Sequence, residues 1–252
     1  MNIYGLIGFP LSHSFSEKYF TAFFKKEKIP AVFKNFPLES IEQFNEFIQS
    51  NNDVKGLAVT IPYKKFILSF LDKTSPEVQE IGACNCIQIQ DRRCIGFNTD
   101  IIGFEKSFMP ALLPGDTHAL ILGTGGAAAA ASYVLKKNKI QFLFVSGKRY
   151  NSENTIAYHH LDENILQQYS IIINATPVGQ FPEITNAPNI PYQFLTQKHF
   201  LFDMIYNPGQ TQFLKNGFRH GARIKNGLEM LEIQAMENWK IWNASMILSP
   251  GI

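Results

Sequence analysis

Cysteine is nearly absent from these 252 residues: Cys84, Cys86 and Cys94 are the only three. Three thiols do not make a disulfide framework. Cys84 and Cys86, two apart, fall on one side of an expected strand, where small buried thiols are common. Further ligands at metal-site spacing are lacking, so no metal centre is expected. Long hydrophobic runs are missing too; nothing approaches the ~20 continuous apolar residues of a membrane-spanning helix. Charge of one sign is not in excess, since 23 Lys and Arg meet 21 Asp and Glu for a net +2. That balance, without a dense basic run, argues against nucleic acid as a partner. The opening "MNIYGLIGFPLSHS" has no positive n-region and no small-residue cleavage site. No signal peptide is expected, and a reducing cytoplasm is the expected location.

What the chain does have is material for cores: 45% hydrophobic residues, with 22 Phe among them. Its length suits one large domain or two modest ones. Strand and helix patterns alternate. "IYGLIG", "VFKNFPL" and "VKGLAVTIP" read as strands, and "SEKYFTAFFKKEKI" as an amphipathic helix with Ser16 at its cap position. "IEQFNEFIQSN" and "KKFILSFLDKT" read as helical, and "ACNCIQIQ" and "RRCIGFNTD" as two strands turned at Asp91-Arg92. A mostly parallel sheet with helices packed on it follows. Near residue 102 the pattern restarts. "IIGFEKSFMPAL" is helical, "THALILGTGGAAAAASYVLKKN" is strand, glycine turn and helix, and "IQFLFVS", "SIIINAT" and "HFLFDMIY" are further strands. The closing "NGLEMLEIQAMENWKIWNAS" is a long helix expected to pack back onto the first unit. The expected fold is two-domain α/β, with a boundary near Thr99–Gly103 and a return crossing near Gly227.

Three stretches carry chemistry. In "LAVTIPYKK" a buried strand is cut off by Pro62, which has no N–H to give, and Lys64 and Lys65 follow at once. Strand ends of α/β sheets are where ligands bind, although a solvated loop explains a lysine pair equally well. In "HALILGTGGAAAAA", Gly123 makes a tight turn, Gly125 lets backbone approach a pyrophosphate, and Ala128 permits close helix–strand packing. These are the requirements of a dinucleotide-binding turn. An NAD-binding version places an acid at the end of the next strand. Here Ser146, Gly147, Lys148 and Arg149 stand there instead. Two cations suit a 2′-phosphate, so NADP is expected over NAD. In "GFNTDIIGF", Asp100 is open to two readings: a helix N-cap, or a carboxylate near Lys64 that alters its pKa.

Taken together, "GFPLSHSFS", "GLAVTIPYK", "GACNCI", "GFNTDIIG", "GTGGAA", "NATPVG", "DMIYNP" and "NGLEMLEIQA" resemble, in order and over essentially the whole chain, the NADP-dependent shikimate dehydrogenase family. That resemblance implies a substrate domain of residues 1–102 plus 227–252 and a Rossmann-type NADP domain of residues 103–226, with the active site in the cleft between. It implies reversible NADPH-dependent reduction of 3-dehydroshikimate to shikimate, in the pathway to chorismate and aromatic amino acids. Lys64 and Asp100 become the catalytic pair. Ser14, Ser16, Thr60, Asn85, Tyr206 and Gln234 join them as substrate contacts, Ser14 and Ser16 as hydroxyls of one extended segment facing a carboxylate. His13 is given no catalytic role. Gly123, Thr124, Gly125, Gly126 and Ala127, with Ser146, Lys148, Arg149, Thr176, Met204 and Gly227, become cofactor contacts.

Three positions depart from the family's pattern. Ala58 stands where Asn is usual, Ser146-Gly147 where Asn-Arg is usual, and Gln180 where Met is common. Quinate or aminoshikimate dehydrogenase activity, or a non-catalytic regulator of the same fold, are the competing readings. The resemblance leaves monomer and homodimer both open.

Overall fold

The computed structural model describes residues 1–11, 15–147 and 154–244. These form two compact units: Met1–Thr99 together with the chain from Ala235 on, and Asp100–Gln234. Each contains a six-stranded sheet.

In the first unit the elements run β1 (Asn2–Gly8), α1 (Phe15–Lys26), β2 (Ala31–Pro37), α2 (Phe44–Ser50), β3 (Val54–Val59), β4 (Lys73–Thr74), α3 (Pro76–Ile81), β5 (Cys86–Gln90) and β6 (Arg93–Phe97). The sheet order is β2-β1-β3-β5-β6-β4. It is mixed: β1 pairs parallel with β2 and β3, and β4 with β6, whereas β5 runs antiparallel to both β3 and β6. The reversal comes from the two-residue turn Asp91-Arg92, both at positive φ (51° and 61°), as a tight hairpin requires. The segment "KKFILSFLDKT" is not a regular helix. It makes one 3-10 turn, Phe66–Phe70, and then β4. Its apolar residues are consecutive rather than at helical spacing, so only Ile67 is fully buried while Phe66 is exposed.

One core of this unit is aromatic. Tyr4, Phe20, Phe24 and Phe33 gather around Trp242, and Ala235 and Trp239 come from the same C-terminal helix, α8 (Leu228–Asn243). Tyr4 and Trp242 stack at 5.2 Å. Gly56 of β3 leaves room for this indole; a Cβ there would lie 2.2 Å from Trp242 Cδ1. Ala58, where the family's usual Asn is missing, belongs to this core, paired across the sheet with Leu6 and Cys86. An apolar side chain suits that setting.

The second unit contains α4 (Thr99–Phe108, from Asp100 on), β7 (His118–Leu122), α5 (Gly126–Lys137), β8 (Gln141–Ser146), β9 (Thr155–Ala157), α6 (Glu163–Gln168), β10 (Ile171–Asn174), β11 (Phe200–Asp203), α7 (Gln212–Arg219), β12 (Arg223–Lys225) and the first turns of α8. Its sheet, ordered β12-β11-β10-β7-β8-β9, is parallel throughout. The central strands "HALIL", "IIIN" and "FLFD" are almost wholly buried, as strands covered on both faces must be. Their carboxyl ends therefore lie along one edge, where strand–helix junctions present backbone and polar side chains together.

Candidate active site

The first unit brings Thr60, Lys64 and Asn85 together through its backbone. Val59 N–H donates to Asn85 O (2.8 Å), and Cys84 N–H donates to Lys64 O (2.7 Å), so the turn after β3 is tied to the entry of β5. Thr60 N–H donates to Ile7 O and Tyr63 N–H to Thr60 O. This fixes the half-buried Lys64 in a turn directly beyond the strand end. Asn85 precedes β5 rather than lying within it. It is buried, and its Oδ1 accepts from Thr99 N–H at 2.7 Å and lies 3.2 Å from Thr99 Oγ1. Thr99 Oγ1 in turn donates to Asn238 Oδ1 at 2.6 Å. A polar side chain in an apolar setting is thus satisfied in part by the protein itself.

Two capping readings are corrected. Ser16 is the second residue of α1, which begins at Phe15, so it is neither the cap nor in an extended segment. Asp100 is the second residue of α4, which begins at Thr99, so it is not the cap either; it is buried in the first helical turn. A carboxylate there gains from the positive end of the helix dipole. Ser14 and His13 lie outside the described residues, as do Lys148 and Arg149.

In the second unit the glycine turn has the geometry its sequence implies. Gly123 has φ +102°, and a Cβ on it would meet Thr176 Cγ2 at 3.0 Å. Its N–H donates to Val145 O at 2.8 Å. Gly125 is the N-cap of α5 and offers no side-chain cap to the helix N–H groups. At Gly125 the backbone is ordinary (φ −79°), and a Cβ would meet nothing within 4 Å. Neither strain nor protein packing requires glycine there. Open space beside a helix start whose N-cap carries no side chain fits a pyrophosphate drawn close to the backbone. Ala128 is fully buried, Thr124 lies in the turn, Gly126 and Ala127 open α5, and Ser146, buried, ends β8.

Thr176, Met204 and Gly227 stand at the ends of β10, β11 and β12. Met204 N–H donates to Asn174 O (3.0 Å), and Gly227 N–H to Ile205 O (3.1 Å). Tyr206 is half-buried, which raises its phenol pKa. Gln234 is buried in α8 and donates to Leu231 O at 3.1 Å. Gln180 is exposed, and nothing in the structure explains its departure from the family pattern.

Sequence reading missed one group in this unit, Asp203 with Asn174 and Thr211. All three are buried. Asn174 Nδ2 donates to Asp203 Oδ1 (3.0 Å), Ile205 N–H donates to the same oxygen (3.0 Å), and Thr211 Oγ1 donates to Oδ2 (2.5 Å). Burial pushes the Asp203 carboxyl up to about 6, against the opposing pull of these three hydrogen bonds. The available signal was two polar residues closing otherwise apolar strands.

An all-parallel sheet whose first strand–helix junction is a glycine turn, with strand-end polar groups along the same edge, defines a dinucleotide-binding α/β protein. The model of the shikimate dehydrogenase substrate binding domain matches residues 6–87. A shikimate dehydrogenase (NADP(+)) from Caldicellulosiruptor bescii is 36% identical over 98% of this chain and 91% of its own length. One from Clostridium beijerinckii is 35% identical, over 96% of this chain and 92% of its own. The chain belongs to the shikimate dehydrogenase family. Solved structures agree. The Aquifex aeolicus shikimate dehydrogenase superposes with a TM-score of 0.85 at 30% identity, covering 96% of this chain and 92% of that one. A shikimate dehydrogenase crystallised with NADP+ gives 0.84 at 32% identity, covering 96% and 90%.

Proposed function

We propose that this protein interconverts 3-dehydroshikimate and shikimate with NADPH as the reductant. The observation that carries the reading is similarity along nearly the whole chain to enzymes named shikimate dehydrogenase (NADP(+)), 36% identical in the first case. Residues 1–102 and 227–252 serve the substrate and residues 103–226 the cofactor, except that Tyr206 reaches the substrate and Gly227 the nicotinamide. The bound nicotinamide supplies the hydride. Every other task falls to side chains of this chain.

Lys64 gives a proton to the carbonyl oxygen as negative charge grows on it, and takes a proton from the alcohol in the reverse direction. Asp100 is assigned to the same proton transfer. Ser14 and Ser16 hold the substrate carboxylate, and Thr60, Asn85, Tyr206 and Gln234 take its ring hydroxyls. Gly123 to Ala127 receive the pyrophosphate at the α5 N-terminus. Ser146, Lys148 and Arg149 receive the 2′-phosphate end, and Thr176, Met204 and Gly227 the nicotinamide end.

The direct test is NADPH oxidation on addition of 3-dehydroshikimate, with shikimate and quinate assayed against NADP+ and NAD+ in parallel. Turnover of the shikimate pair with NADP(H) is expected. A chain that binds NADPH yet turns over none of these substrates would be a regulator, and the enzyme reading would fall.

A further inference from the structure

Asp203 is buried at the end of β11 and takes no part in the proton transfer assigned above. Each of its hydrogen-bond partners named above is a donor, so the carboxylate works here as an acceptor with both oxygens in use. This fixes the orientation of the Asn174 amide. Its Nδ2 is turned to Asp203, and also donates to Val178 O at 3.3 Å. Its Oδ1 is thereby turned to Thr176, whose N–H and hydroxyl both donate to it, at 3.1 and 2.6 Å. With the hydroxyl hydrogen held there, Thr176 directs its methyl group to the Gly123 turn. The same Asp203 oxygen accepts the Ile205 N–H, and Met204 lies between Asp203 and Ile205 in the chain. One carboxylate thus braces the ends of β10 and β11, and through Thr176 it reaches the turn after β7.

We propose that Asp203 is a positioning residue for the dinucleotide, setting Thr176 and Met204 through Asn174 and the Ile205 N–H. The proposal rests on the reading of 103–226 as the cofactor unit. Asp203 would touch neither cofactor nor substrate. Its removal would leave the Asn174 amide held by Thr176 and Val178 O alone and would slacken the two segments together.

The test compares the parent chain with Asp203→Ala, Asp203→Asn and Asn174→Ala. NADPH affinity is read by fluorescence titration, folding by thermal melting, and the shikimate KM by steady-state assay. Asp203→Ala should weaken NADPH about tenfold, the cost of about one strained hydrogen bond, while the shikimate KM stays within about twofold. Asp203→Asn should restore affinity to within about threefold. Its amide oxygen can accept from Ile205 and Asn174 while its NH2 donates to Thr211 Oγ1. Asn174→Ala keeps the other two partners of Asp203 and should reproduce the cofactor-selective loss; it decides alone if Asp203→Ala does not fold. Folded variants with the parent's NADPH affinity overturn the proposal. So do equal losses for cofactor and shikimate that track the melting temperature and are not rescued by Asn. A parent that fails to bind NADPH overturns the underlying functional reading, whereas a binding parent with equally binding variants overturns only the positioning role.

Discussion

Gly227 lies directly against the backbone of Met204: a Cβ on it would stand 2.2 Å from the Met204 carbonyl oxygen and 2.6 Å from its carbon. The obstacle is main chain, fixed by the Gly227 N–H to Ile205 O bond (3.1 Å), and no flexible side chain can move aside. Gly227→Ala is therefore expected to displace the 204–206 segment, costing about 1–3 kcal/mol in stability. It should weaken NADPH in the same variant. Thermal melts and cofactor titration check both. Parent values in both would mean that the segment yields without cost.

Lys64 and Asp100 occupy a turn beyond β3 and the first turn of α4. Lys64→Ala and Asp100→Asn should each lower kcat by ~10²–10⁴, the usual worth of positioned acid–base help, with NADPH affinity near the parent's. Folded variants that turn over at the parent rate would remove both residues from the chemistry.

If the proposed function holds, the cations at 148 and 149 set the preference for NADPH over NADH. Replacing both by Ala should weaken NADPH by about tenfold or more, since a charge-assisted phosphate contact is lost, and leave NADH nearly unchanged. Equal losses for the two cofactors would make them bystanders.

Much of this was legible because it rests on local chemistry. The short apolar runs "ALIL", "IIIN" and "FLFD", bounded by polar or turn residues, read as buried strands, and "GTGGAA" marked the turn and helix of the second unit. The hairpin at Asp91-Arg92 was placed correctly, yet its consequence, an antiparallel pair inside a sheet expected to be mostly parallel, was not drawn. Ser16 was misplaced as a cap because its helix begins at Phe15, two residues before a cap at 16 would allow, and of the two readings of Asp100 the cap falls for the same reason, a shift that spacing cannot resolve. The helix α7 was overlooked although Thr211 caps it, accepting from Leu214 N–H at 3.4 Å. Its buried side is only Phe213, Leu214 and Gly217 within eight residues, too short a run for the period to stand out. The Asp203–Asn174 pair, 29 residues apart, exists only through strand adjacency. No periodicity announces it.

The indole of Trp242 on Gly56 gives a stability test independent of catalysis. Trp242→Ala should cost ~3–5 kcal/mol by opening a cavity in the aromatic core. Gly56→Ala should cost about 1–3 kcal/mol, because its Cβ would meet the ring at 2.2 Å. In the Trp242→Ala background the Gly56→Ala penalty should largely vanish, since the clash is then gone. Denaturant melts of the four proteins measure this coupling, and additive losses would show that the two sites do not touch.

The titration of Asp203 has a definite sign. Its carboxyl ordinarily titrates at 3.8, and burial raises it in the folded chain to about 6. On acidification the folded chain therefore takes up this proton before the unfolded chain does. The group's contribution to stability is complete below the unfolded value and is lost as pH rises through the folded one. A shift of this size corresponds to about 3 kcal/mol. Asp203→Asn removes the titration while keeping an acceptor for Asn174 and Ile205. From about pH 3 to pH 7 the parent should lose about 3 kcal/mol relative to that variant. Paired denaturant melts across this range isolate the difference, because every other titrating group is common to both proteins. Parallel stability curves would mean that the hydrogen bonds from Asn174, Ile205 and Thr211 outweigh burial and hold Asp203 ionised throughout.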